Sequence, residues 1–377
     1  MMMRRRHRVA ILGGLALIAL APAAGRADIY HETNLVSSVA GMAPNTDTDL
    51  QNPWGVSFGP TGPFWVSNQI TGNATLYNSA GVKQGLTVQI PPVGGGGNPT
   101  GQVFNSTASD FQIGGSKAIF IFATLNGTIT GWTGGPGNTT AAVAQTVAGA
   151  SYTGLTLGNN GAGNFLYAAN DGQSRIDVFD NTFALSAAFA GKFVDPNLPA
   201  GYTPYNIRNI NGTVYVAYEN SAGDGGTVDS YDLNGNFLHR IASNGPGGTL
   251  SHPWGMAVAP ASFGQFANDL LVGNEGNGQI NAFKQDPITG NYTFDGQMSL
   301  VGSNGLPFNI GFGLWTLTFG NAGANGDPNT LFFVAGINNE TGGLLGDITV
   351  PEPGSIVLMA LGGVTLLGLY RRRSRMA

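Results

Sequence analysis

A short apolar run followed by a turn of glycine and asparagine recurs along this chain at near-constant spacing, and that recurrence limits its folds more than any single motif. The runs are FWVSN at residues 64–68, IFIFATLN at 119–126, FLYAAND at 165–171, VYVAYEN at 214–220, LLVGNEG at 270–276 and LFFVAGIN at 331–338. The steps from Trp65 to Phe333 average about 54 residues, the period of a repeat architecture. Most runs are followed by a second alternating segment: residues 74–77, 128–132, 175–179, 227–231 and 279–283. Alternation with period two makes both sets half-buried strands, and the glycine and asparagine between them suit tight hairpin turns. A further echo joins Asn52-Pro53-Trp54-Gly55-Val56 to His252-Pro253-Trp254-Gly255-Met256.

These units predict an all-β chain, a six-bladed β-propeller of four-stranded antiparallel blades. A pair of β-sandwiches is the structural alternative. Seven blades stay open because residues 183–200 and 286–312 are long and irregular enough to hide a strand pair. Small residues such as Ser67, Ala168, Ala217 and Gly273 are expected innermost, with Trp65, Tyr167, Tyr215 and Phe333 wedged between blades. The strand around Tyr30 to Val36 is expected to latch the ring by pairing with C-terminal strands.

The two ends read as processing signals. Residues 1–8 carry four arginines, residues 9–20 read VAILGGLALIAL, and mostly small residues follow to Ala27, the layout of a secretory signal peptide over 1–27. At the other end an uncharged run at 354–370 precedes Arg371, Arg372 and Arg373, the pattern of a transmembrane segment stopped by a basic cluster. The domain expectation is therefore a signal peptide at 1–27, a β-propeller at 28–350 and a sorting signal at 351–377. Pro351-Glu352-Pro353, the apolar run and the arginines resemble the PEP-CTERM signal. That resemblance implies signal peptidase and an exosortase-type enzyme as processing partners, export across the inner membrane with transient anchoring, and final placement at the cell surface or outside the cell.

Charge narrows the partners. The body from Asp28 to Val350 holds 20 acidic against 7 basic residues, which excludes a phosphate-binding face for nucleic acid. The chain has no cysteine, so thiol nucleophiles, disulfides and cysteine-ligated metals are excluded as well. No Gly-x-Ser-x-Gly elbow is present, and the glycine-rich stretch at 94–97 lacks the lysine of a phosphate loop. His31, His239 and His252 have no metal-ligand spacing. His252 replaces Asn52 in the repeated Pro-Trp-Gly unit, where it reads as a strand-turn cap, with a catalytic base as the other reading.

Across residues 30–348, Asn34-Leu35-Val36-Ser37, Thr46-Asp47, Asn52-Pro53-Trp54-Gly55 and Leu76-Tyr77-Asn78 resemble an uncharacterised family of secreted bacterial proteins, many ending in PEP-CTERM. Its pattern is similar to NHL-repeat and lactonase-like propellers. The candidate ligand-binding residues are Asn68, Asn170, Asp171, Glu219, Asn220, Asn274, Glu275 and Asn338, which recur where equivalent strands would converge on one face. Asparagine also favours sharp turns, so each has a turn reading too. Such oxygen donors suit Ca2+. The expected role is binding or structural, at the envelope or in an extracellular matrix, with a polysaccharide or envelope protein as partner. The alternative is a divalent-metal-dependent, lactonase-like hydrolase.

Overall fold

The computed structural model describes residues 29–350 except 93, 95, 221 and 246. The described residues contain strands and short 3-10 turns but no α-helix. Six sheets of three or more strands follow one another along the chain. The first holds Pro53–Ser57, Phe64–Asn68, Asn73–Tyr77 and Lys83–Gln89. The second holds Pro99–Phe104, Phe120–Thr124, Thr128–Trp132 and Ala142–Thr146. The third has three strands, Tyr152–Asn159, Asn164–Asn170 and Arg175–Phe179. The fourth runs through Thr203–Ile210, Thr213–Glu219, Gly226–Tyr231 and Phe237–Asn244. The fifth runs through Pro253–Val258, Leu270–Asn274, Ile280–Gln285 and Tyr292–Gln297.

The sixth joins both ends of the body. Leu314–Phe319, Leu331–Ala335 and Leu344–Thr349 pair in order, and Tyr30–Ser37 adds antiparallel to Leu344–Thr349. The short strand Leu300–Val301 then lies parallel to Tyr30 and His31. The N-terminal strand thus occupies the latch position expected from the sequence.

Four strands per sheet does not hold throughout. In the third sheet, residues after Phe179 leave the ladder through a single bridge to Leu185 and form the 3-10 turn Ala187–Phe189. Residues 286–312 supply the outer strand of the fifth sheet and the Leu300–Val301 and Pro307–Phe308 ladder.

A second correction concerns the axis. The innermost position belongs to the first strand of each sheet, not to the alanine-rich second strand. Pro53–Ser57, Pro99–Phe104, Tyr152–Asn159, Thr203–Ile210, Pro253–Val258 and Leu314–Phe319 each pack on the next, and the last packs on the first. Every one carries a register shift near its start, leaving Trp54, Thr100, Thr153, Tyr205, Trp254 and Trp315 outside the regular ladder. A bulge turns its extra residue out of the pleat and sharpens the local twist. The residue after the bulge sits where neighbouring first strands come closest. A Cβ on Gly101 would lie 2.3 Å from Leu155 N, and one on Gly255 would lie 2.4 Å from Trp315 O.

Side chains close this crowded ring by satisfying the bulged backbone. Thr100 Oγ1 donates to Tyr152 O at 2.6 Å, Asn206 Nδ2 to Trp254 O at 2.7 Å, and Thr316 Oγ1 to Trp54 O at 2.6 Å. The bulged aromatics fill the centre. Trp54 stacks on Trp315 with centroids 3.7 Å apart, and Trp254 and Tyr205 meet Trp54 edge-on at 6.2 Å. Farther out, Trp65 stacks on Phe120 at 3.9 Å between the first two sheets, the wedge role expected for it.

Candidate functional site

The site lies above this aromatic plug, where the second strands of the sheets end. Asp171, Glu219, Glu275 and Glu340 all bear electrostatically on Tyr205. Burial first, then these four carboxylates, push the Tyr205 hydroxyl well above its ordinary value, so it stays a neutral phenol. Each acid is delivered by a strand end or the loop beyond it. Glu219 closes Thr213–Glu219, Glu275 follows Leu270–Asn274, and Asp171 opens the 3-10 turn Asp171–Gln173. The hydroxyl of Thr203 donates to Asp171 Oδ1 and ties the third sheet to the fourth.

His252 sits between two of the acids. Its Nδ1 is 3.4 Å from Glu275 Oε2 and 3.5 Å from Glu219 Oε2, while Nε2 is 3.1 Å from Gly223 O. Both ring nitrogens therefore face acceptors and the imidazolium is favoured. Hydrogen bonding to Glu275, then the Gly223 carbonyl and the charges of both glutamates, raise the His252 pKa against the opposing effect of burial. Burial raises Glu219 despite His252 beside it. Glu340 is pushed up to about 7 by burial and by the charge of Glu275. Glu275 is 2 % exposed, and its Oε1 is buried without a hydrogen-bond partner.

The backbone around these groups is unusual. His252 has φ +46°, matching Asn52 at φ +43° in the equivalent place before Pro53. Asn338, Asn339 and Glu340 are three successive residues at φ +53°, +52° and +64°. Left-handed residues normally occur singly, and each non-glycine one costs about 1 kcal/mol or more. This strained loop is what brings Glu340 over the axis.

The asparagines predicted from the same pattern behave differently. Asn170 Oδ1 accepts from Ser151 N and Gln173 N, both at 3.2 Å, and its Nδ2 donates to Asp177 Oδ2 at 2.7 Å. Asn274 Oδ1 accepts from Ser251 N at 3.2 Å and its Nδ2 donates to Thr249 O at 3.0 Å. Asn68 Nδ2 donates to Asn73 Oδ1 and Thr75 Oγ1, both at 2.8 Å. Asn220 Oδ1 accepts from Ala222 N at 3.1 Å, and Asn338 is exposed on the strained loop. Four of these amides thus bind the turns around them, while Asp171, Glu219 and Glu275 converge.

The space between Glu219 and Glu275 is taken by the His252 ring, and most of the neutral oxygens are spent on turns. Among the described residues no group of three or more His, Asp or Glu side chains could hold a metal ion. Sequence reasoning missed Glu340 and Tyr205 and took His252 chiefly as a cap. The signal for Tyr205 was present: Pro204-Tyr205-Asn206 occupies the place of Pro53-Trp54-Gly55.

Solved structures share this architecture. A streptogramin B lyase structure is 13% identical, with 85% of this chain and 98% of that chain covered at a TM-score of 0.50. A protein of unknown function from Bacteroides thetaiotaomicron is 11% identical, with 86% and 76% covered at 0.54. The body is therefore propeller-like. The uncharacterized protein R648 of Acanthamoeba polyphaga mimivirus is 32% identical over 335 residues, covering 83% of this chain and 78% of its own length. A second mimivirus protein, L690, is 31% identical over 275 residues, covering 66% and 70%. The chain belongs to the family of R648. Residues 349–374 match the PEP-CTERM protein-sorting motif, which marks the protein for exosortase-type sorting, export and placement at or beyond the cell surface. The expected signal peptide at 1–27 and the expected transmembrane segment at 354–370 lie outside the described residues, and no helix among the described residues is long and apolar enough to cross a membrane.

Proposed function

We propose that the six sheets are the blades of a closed six-bladed propeller, and that the protein works at the cell surface as a binding module whose ligand enters the acidic mouth of the axis. The cyclic packing of the first strands supports the blade count. The observation that carries the binding site is Glu275: a carboxylate almost wholly buried, one oxygen facing His252, the other without a partner. Leaving such an acceptor unmade costs about 1–3 kcal/mol, more when charged. A ligand N–H or O–H would recover that cost.

The neighbours define the ligand class. Three further carboxylates and a phenol offer acceptors around an aromatic floor, which suits a sugar carrying hydroxyl and protonated amine groups better than an anionic one. The proposed partner is thus an amine-bearing surface polysaccharide. His252 acts as an internal counter-charge beside Glu275. No bond-breaking step is assigned.

Titration calorimetry of the full exported protein against chitosan, dextran and alginate oligosaccharides tests this. Chitosan fragments should bind most tightly, and Glu275→Gln should weaken them at least tenfold while leaving melting intact. Preference for alginate, or binding unaffected by Glu275→Gln, would reject the reading.

A further inference from the structure

The strand Thr203–Ile210 runs from the acidic mouth, at Thr203, through the aromatic plug, at Tyr205, to Arg208 on the far side. The rise from Thr203 to Arg208 is about 16 Å, so the two ends of the axis are separate compartments. Arg208 lines a cleft of about 440 Å³ framed by the first strands of the first four sheets. A narrower gap, also lined by Arg208, leads inward to Trp254 and Thr316.

The charge balance around this arginine is anomalous. The body carries 20 acidic residues to 7 basic ones, so carboxylates are plentiful. Arg175 is paired with Asp177, and Arg240 with Asp195 and Asp229. Arg208 is the third arginine of the body, and among the described residues it holds no carboxylate. Its Nη2 lies 3.4 Å from Thr318 Oγ1, a long contact to a neutral hydroxyl. None of the residues lining the cleft is acidic. Burial lowers the Arg208 pKa from its ordinary value, the response of a guanidinium held away from water without a counter-charge.

A partly buried cation without a partner is a cost that an apolar side chain would avoid. The fork of the guanidinium matches a carboxylate two-pronged. Around it the walls combine Phe58, Phe104 and Leu155 with Ser57, Gln102 and Thr156. The size falls in the range of small-molecule pockets, about 300–1,000 Å³.

We propose that this cleft is a second ligand site, independent of the acidic mouth, for an organic carboxylate with an apolar body. The carboxylate docks on Arg208 and the body lies against the apolar wall.

The test uses 2-naphthoate as probe, with 2-naphthamide and inorganic phosphate as controls, titrated into the full exported protein. Wild type should bind 2-naphthoate, and Arg208→Gln should weaken it at least tenfold. Arg208→Lys, which keeps the charge but loses the fork, should fall between. Both controls should bind at least tenfold more weakly than 2-naphthoate. Arg208→Gln should melt at or above the wild-type temperature, since it removes an uncompensated charge. Equal binding by wild type and Arg208→Gln, a probe no tighter than either control, no probe binding at about 1 mM, or collapse of the fold in Arg208→Gln would each overturn the proposal.

Discussion

Gly101 and Gly85 are both glycines in strands, yet only one is required. A Cβ on Gly101 would press into Leu155 N at 2.3 Å, a backbone atom of the neighbouring first strand, whereas one on Gly85 would meet nothing within 4 Å. Gly101→Ala should therefore lower the melting temperature by about 5 °C or more, while Gly85→Ala should be neutral or slightly stabilising. Thermal melts of the two variants check this, and equal melting would contradict the packing described for the axis. His252 poses a different problem, because its backbone is left-handed and its ring carries the charge between two glutamates. Asparagine tolerates that backbone, as Asn52 does, so His252→Asn isolates the charge. The variant should lose about 2 kcal/mol at pH 5, where the contribution of the imidazolium is full, and less at pH 8, where rising pH is withdrawing it. Denaturant melts at both pH values decide it; an equal loss would mean that the ring matters for packing alone. These residues also mark how far the sequence could be read. Glutamates after strand ends were legible as axial groups because a carboxylate has no donor with which to close its own turn. Asn170 and Asn274 were ambiguous because one amide both donates and accepts, and the turn claims it first.

The second strands, and most of the third, were legible to within about three residues, since alternation and glycine-asparagine punctuation are local properties. What could not be read locally was which strand lies innermost. The bulged motif appears as Pro-Trp-Gly in two sheets but as Pro99-Thr100-Gly101, Tyr152-Thr153-Gly154, Pro204-Tyr205-Asn206 and Leu314-Trp315-Thr316 in the others. The geometry repeats while the side chains do not, because a small residue, asparagine or threonine can follow the bulge if its side chain bonds the next backbone. The latch strand offers a sharper test of element energetics. Glu32 is 3 % exposed, and its Oε1 has no partner. Burial and then the charge of Asp347 on the paired strand push it up to about 7. Its folded value exceeds its unfolded one, so protonated Glu32 favours the latch below about pH 4.5 and that advantage is lost as pH rises through 7. Glu32→Gln mimics the protonated form. It should raise the melting temperature at pH 8 and leave it unchanged near pH 4.5; a drop at pH 8 would show that the carboxylate has a stabilising partner.

At the scale of the molecule, the packing of the first strands on one another concentrates acids rather than dispersing them. Bringing strand ends to one axis gathers Asp171, Glu219, Glu275 and Glu340, and bringing the chain ends together sets Glu32 near Asp347. Burial raises Glu340 to about 7 and, aided by Asp347, Glu32 to about 7. It raises Asp347 to about 6 and shifts Glu219 and Asp269 upward too. All five have folded values above unfolded ones, so the folded state binds more protons between about pH 4 and 7, and stability falls as pH climbs through that window. His252 continues the trend: its contribution is full below about 6.5 and disappears as pH rises through about 9. On the acid side, turn amides and hydroxyls hold Asp180, Asp224 and Asp232 below their ordinary values, and that stability is lost only as pH falls below 3.8. Maximum stability is therefore expected near pH 4–5, lower than the pH 5–8 usual for globular proteins. Melting temperature followed from pH 3 to 9 should peak in that acidic range and decline by several degrees by pH 8. The decline should be shallower in Glu32→Gln than in wild type, because one of its sources has been removed. A profile that rises from pH 5 to 8 would mean that the buried acids find partners as the ring closes, and would count against the crowding of carboxylates at the axis and the latch.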